Sequence, residues 1–195
     1  MKLFTVQDII VGRTLETGTW RASFEKSNEI ASATEAGERK ILVESYKWIH
    51  DKARKIIGEP VEVGQALVWA SDFSKIAGYK SVRHVGQKLC KIELNIPDDL
   101  VLRIPYDSWS VAAISGGLAW KSDWLDDEFE KRMAEYEAYL DGKFGNHRSV
   151  EAIIQSLEDH LLSYDRPEEV YQYLFWEIRP EWVTDIEYFT AANLF

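Results

Sequence analysis

The chain has 195 residues, 46% of them apolar, a single cysteine and a formal net charge of −10. That length suits one domain with a sizeable core, and a lone thiol excludes a disulfide framework and fits a reducing compartment. The charge is uneven: residues 1–120 carry 16 Lys/Arg and 15 Asp/Glu, for +1, whereas residues 121–195 carry 7 and 18, for −11, which argues against direct contact with a nucleic-acid backbone by the C-terminal part.

In chain order, Lys2 to Gln7 reads as a strand, and Asp8 as the N-cap of a short helix that runs to Thr17 and stops at Gly18. Thr19 to Ser23 is extended, with Trp20 and Arg21 on opposite faces, and Phe24 to Gly37 reads as a polar loop. Glu38 to Ile57 is the clearest helix, because Leu42, Tyr46, Ile49, Ala53 and Ile56/Ile57 recur at the spacing of one buried stripe. Gly58 stops it and Pro60 forbids continuation, and His50, bordering the stripe, reads as structural.

Ala66 to Ser71 is predicted as a strand. Leu89 to Ile96 alternates, with Cys90, Ile92, Leu94 and Ile96 inward, so Cys90 is expected to be a buried, inert thiol. A turn at Pro97-Asp98-Asp99 leads to a short strand over Leu100 to Ile104, and Asp107 to Ile114 to a short helix. Two further helices are predicted, from Ser122 to Gly142 and from Ser149 to Leu161, the first with Asp123, Asp126, Asp127 and Glu128 crowding its N-terminal turns. Val170 to Phe189 then gives a strand apolar on both faces, a turn at Arg179-Pro180 and a last strand. A strand apolar on both faces is covered on both faces, which predicts a central strand. The expected fold is α+β: a single domain over 1–195 with a central mixed or antiparallel sheet flanked by at least three helices.

The opening residues have no apolar run before a small-residue cleavage site, and no window approaches the length of a membrane span. A cytoplasmic protein without membrane attachment is therefore expected. His50, His84, His147 and His160 are scattered and no metal-ligand spacing occurs, so no metal is expected. Phosphate-loop, dinucleotide-loop and nucleophile-elbow motifs are absent.

What remains is a constellation on predicted strands: Gln7, Trp20-Arg21, Trp69-Ala70-Ser71, Asp107-Ser108-Trp109, and Gln172 with Glu177. Arginine and tryptophan beside a carboxylate suit a flat, anionic ligand, held by stacking and a charge-assisted bond. The same residues also serve as core tryptophans and boundary ion pairs. The acidic C-terminal part leaves a second reading, a non-enzymatic interaction protein that docks Asp126, Asp127, Glu128 and Glu130 on a basic, nucleic-acid-handling protein, as a phage or mobile-element inhibitor does.

Six ordered segments, KLFTVQ, GTWRAS, VWAS, ELNIPDDLVL, DSW and QYLFWEIRPEWV, span almost the whole chain. Together they resemble a small bacterial and phage family catalogued as a domain of unknown function, a resemblance that implies no activity. A weaker, fold-level similarity is to ADP-ribosyltransferase-like proteins. It implies a bound NAD or related nucleotide, with Arg21 on a phosphate, Trp69 stacking, Ser71 positioning the ribose and Glu177 as the catalytic carboxylate that stabilises developing positive charge. The chain departs from that pattern at Thr5, where one subgroup carries a histidine.

Overall fold

A computed structural model describes residues 1–27, 36–72, 85–105, 109 and 171–191. The chain divides into two compact units, one of Met1–Phe24, Ala53–Arg103 and Gln172–Phe195, the other of Glu25–Lys52 and Ile104–Tyr171.

In the first unit, strand β1 (Lys2–Asp8) delivers the chain into helix α1 (Ile9–Leu15). Asp8 caps that helix as predicted, its carboxylate accepting from the Ile10 N–H at 2.8 Å. Strand β2 (Trp20–Ser23) follows, then β3 (Gln65–Ala66), β4 (Val68–Ala70), β5 (Lys88–Asn95) and β6 (Leu102–Pro105). The C-terminal part supplies β7 (Tyr171–Phe175), β8 (Glu177–Ile178) and β9 (Val183–Thr190).

These strands form three sheets of three strands each, in the orders β1-β5-β9, β3-β2-β8 and β4-β7-β6, and every pairing with a described register is antiparallel. The expectation of one central sheet flanked by at least three helices is thereby corrected. Among the described residues there are two α-helices, and the strands are shared among three small sheets. The physical reason lies in two interruptions. The strand predicted over Ala66 to Ser71 breaks at Leu67, and the one predicted over Val170 to Ile178 breaks at Trp176, so each run pairs in one sheet before its break and in another after it. Residues Tyr173 to Ile178 are all buried. Coverage of both faces was a sound inference from the apolar run; continuity was not. The helices predicted over Ser122 to Gly142 and Ser149 to Leu161 lie outside the described residues, as does all of the Asp107 to Ile114 prediction except Trp109.

The β1-β5-β9 sheet carries much of the core: Leu3, Ile92 and Leu94 are fully buried, as is Cys90. The Cys90 thiol donates to the Asp8 carbonyl at 3.3 Å, and burial pushes its pKa up. Thiolate is the reactive form, so a sealed thiol with a raised pKa is doubly protected. Reaction of native protein with an aromatic disulfide reagent at pH 8 is expected to run at least ~100-fold slower than in denaturant; comparable rates would show that this sheet opens freely.

Helix α2 (Ala36–Ile57) begins two residues before the predicted start. Its described side chains bury Tyr46, Ile49, Ala53 and Ile57, as the stripe predicts, together with Trp48 and His50. Ile56 is exposed instead, because adjacent helical positions diverge by ~100° and only one of Ile56 and Ile57 faces inward. In the second unit, Tyr46 meets Trp109 edge to face with ring centres 5.6 Å apart. No helix among the described residues is long and apolar enough to cross a membrane.

Candidate functional site

The β2–β8 pair places Arg21 directly opposite Glu177. The Arg21 Nε donates to Glu177 Oε2 at 2.8 Å, and the Arg179 Nε donates to Oε1 of the same carboxylate at 2.6 Å. Arg179 reaches it because residues two apart on an extended chain point the same way. A second carboxylate joins from the turn before β3, where Glu62 Oε1 accepts from Arg21 Nη1 at 3.0 Å. The result is a chain of four alternating charges: Glu62, Arg21, Glu177, Arg179.

Their exposures differ. The Glu177 side chain is 6% exposed, Arg21 29%, Arg179 43% and Glu62 60%. A carboxylate taken out of water costs several kcal/mol unless its oxygens are satisfied, and here each oxygen of Glu177 accepts one charge-assisted bond. Pro180 opens a 3-10 turn, Pro180–Trp182, which sets Trp182 under Arg179, the guanidinium lying 4.9 Å from the ring centre. Arg179 is thus gripped at Nε and across one face. Its two terminal nitrogens make no bond within the described residues.

The turn carrying Glu62 is held by Gln65. The Gln65 Oε1 accepts from the Glu62 N–H at 3.0 Å, and its Nε2 donates to the Trp176 carbonyl at 2.6 Å. Gly64 adopts φ +78°, a conformation glycine takes without strain. Trp176, at the interruption between β7 and β8, donates from its indole to the Gly58 carbonyl at 2.7 Å, just past the end of α2.

Of the residues singled out from sequence, Arg21 and Glu177 come together. Trp69 and Ser71 stand elsewhere: Trp69 pairs with Leu174 on β7, and its carbonyl accepts from the Thr5 hydroxyl at 2.8 Å. Ser71 forms a backbone bridge with Phe4. Among the described residues, the ion pairs of Arg21 and Glu177 run to Glu62, Arg179 and each other. Gln7 donates to the Thr5 hydroxyl at 2.8 Å, making Gln7, Thr5 and Trp69 a single polar chain that ties β1 to β4. Asp107, Ser108 and the acidic quartet Asp126, Asp127, Glu128 and Glu130 lie outside the described residues.

Sequence reasoning missed Arg179, Glu62 and Gln65. The two-residue spacing from Glu177 to Arg179 was a readable signal; nothing marked Glu62 or Gln65, which join the site only through pairing across the sheet. Among the described residues no group of three or more His, Cys, Asp or Glu converges as a metal site. Chemically, Arg179 is held at Nε with its terminal nitrogens unbonded among the described residues, and Arg21 is shared between Glu177 and the more exposed Glu62, so the outer guanidinium edges of this charge chain suit an oxyanion, the acceptor that a guanidinium fork matches best.

A family model described as a domain of unknown function, DUF3841, matches residues 2–184. No curated protein and no solved structure matches the chain.

Proposed function

We propose, for a chain that belongs to the DUF3841 family, a module that binds NAD or a related nucleotide through its phosphates. Arg21 and Arg179 are the phosphate-binding groups, and Glu177 holds both in position. One observation carries this reading: the buried Glu177 carboxylate takes one Nε bond from each arginine and leaves both terminal nitrogens of Arg179 unbonded among the described residues. An arginine held at Nε retains an outer edge for a second acceptor and has already lost much of its rotamer freedom, so less entropy remains to be lost on binding.

The geometry favours binding over catalysis by Glu177. A carboxylate that stabilises positive charge on a ribose needs an oxygen within reach of that sugar, and both oxygens of Glu177 are engaged by guanidinium groups. Glu177 is accordingly a positioning residue in this reading, and Trp69 and Ser71 have no part in the cationic pair.

The test is a thermal-shift titration with NAD, ADP-ribose and ATP. Saturable stabilisation is expected, since a ligand that binds the native state alone adds about 2.7 kcal/mol at 100 times its Kd. Arg21→Ala and Arg179→Lys should each weaken the apparent affinity by at least ~10-fold, the second because lysine keeps the charge but lacks the fork. No shift with any of the three nucleotides would overturn the reading.

A further inference from the structure

Glu62 and Glu177 share Arg21, yet the two carboxylates are placed very differently. Glu177 is sealed among strands, whereas the Glu62 side chain is 60% exposed, on a turn whose neighbours Val61, Val63 and Gly64 are exposed as well. The backbone of this turn is fixed, with the Glu62 N–H bonded to Gln65 Oε1 and the Glu62 carbonyl accepting from the Gln65 N–H at 3.3 Å. Among the described residues its carboxylate has one bond, to Arg21 Nη1. A side chain on a fixed backbone with a single exposed ion pair is displaced at little cost, because such pairs add little net stability.

We propose that Glu62 is a built-in competitor: its carboxylate occupies the edge of Arg21 that a ligand's phosphate takes, and it must swing into solvent for that ligand to bind. This rests on the phosphate-binding reading above and adds to it a residue that sets affinity and selects ligand charge. A phosphate, carrying more charge and more acceptor oxygens than one carboxylate, displaces Glu62, whereas a neutral nucleoside has nothing to offer Arg21 in exchange. Binding by the unmodified chain is therefore modestly weaker than by a chain lacking this carboxylate, because each ligand gives up a little of its interaction energy in the exchange.

The experiment compares the unmodified chain, Glu62→Gln and Glu62→Ala in calorimetric titrations with inorganic pyrophosphate, ADP-ribose and adenosine. Glu62 is exposed and its backbone bonds are kept, so both variants should fold. The Kd for pyrophosphate and for ADP-ribose is expected to fall roughly three- to tenfold in both, with less salt dependence of the gain than of binding itself. Adenosine should be unaffected. Unchanged or weaker phosphate binding in both variants, while the unmodified chain binds in an Arg21-dependent way, would overturn the role of Glu62 and leave the phosphate site standing. Absence of pyrophosphate and ADP-ribose binding in all three proteins would overturn both.

Discussion

Glu177→Ala is expected to lower the free energy of unfolding by about 3 kcal/mol, a value at the low end for breaking a buried ion pair. Glu177 is the buried member of the four-charge chain, and its removal leaves Arg21 and Arg179 facing each other across a vacated space. The low end applies because neither guanidinium is sealed: both keep a route to water, and the share owed to the more exposed Arg179 is screened. Glu177→Gln keeps the shape but lacks the charge and turns an NH2 toward one arginine, so a loss of roughly 2 kcal/mol is expected. Urea denaturation of the three proteins measures both losses. If Glu177→Ala costs less than ~0.5 kcal/mol, the carboxylate does not organise the site, and the positioning role fails with it.

Trp176→Ala is expected to cost about 3–5 kcal/mol, the range for truncating a buried aromatic. Trp176 is buried, sits where β7 gives way to β8, and bonds at both ends: its indole N–H to the Gly58 carbonyl, its own carbonyl to Gln65 Nε2. Trp176→Phe separates the contributions. It retains most of the apolar surface and the backbone bond, and loses only the indole donor, at about 1 kcal/mol, because the exposed Gly58 can turn its carbonyl to water. For a chain of this size each kcal/mol moves the Tm by ~2–4 °C. Alanine should therefore lower the Tm several times further than phenylalanine does. Equal losses would mean that the hydrogen bond outweighs the packing at this position.

Local pattern was a good guide wherever an element is decided locally. The Asp8 cap, the alternation from Leu89 to Ile96 and the stripe through Tyr46, Ile49 and Ala53 each answer to neighbours within a few residues, and each stands where it was expected. The two strand interruptions are of another kind. Neither Leu67 nor Trp176 is a glycine or proline, and both sit in runs that stay apolar, so periodicity runs straight through them. At each break the chain leaves one sheet and enters another, so its position goes with pairing partners distant in the sequence.

The site divides along the same line. That Arg21 and a C-terminal carboxylate belong together was legible as a coincidence of residue types, whereas their direct opposition follows from a pairing across 156 residues. Glu62 was invisible for the same reason. Several residues in the ordered sequence segments turn out to hold the fold: Thr5, Gln7 and Trp69 are linked by hydrogen bonds, and Trp176 spans a strand junction.

The two strand interruptions also close a circuit. From β2 one passes by hydrogen bonds to β3, along the chain through Leu67 to β4, across to β7, along the chain through Trp176 to β8, and back to β2. Gln65 ties this loop across its middle through the Trp176 carbonyl. A closed linkage has no slack, so the two connecting segments must be matched in length. Adding a residue at Leu67 alone forces one side of the circuit out of step with the other, whereas adding one at Leu67 and one at Trp176 lengthens both arms together. Natural drift and protein engineering alike should find the paired change the gentler of the two, although the positions lie more than a hundred residues apart in the chain.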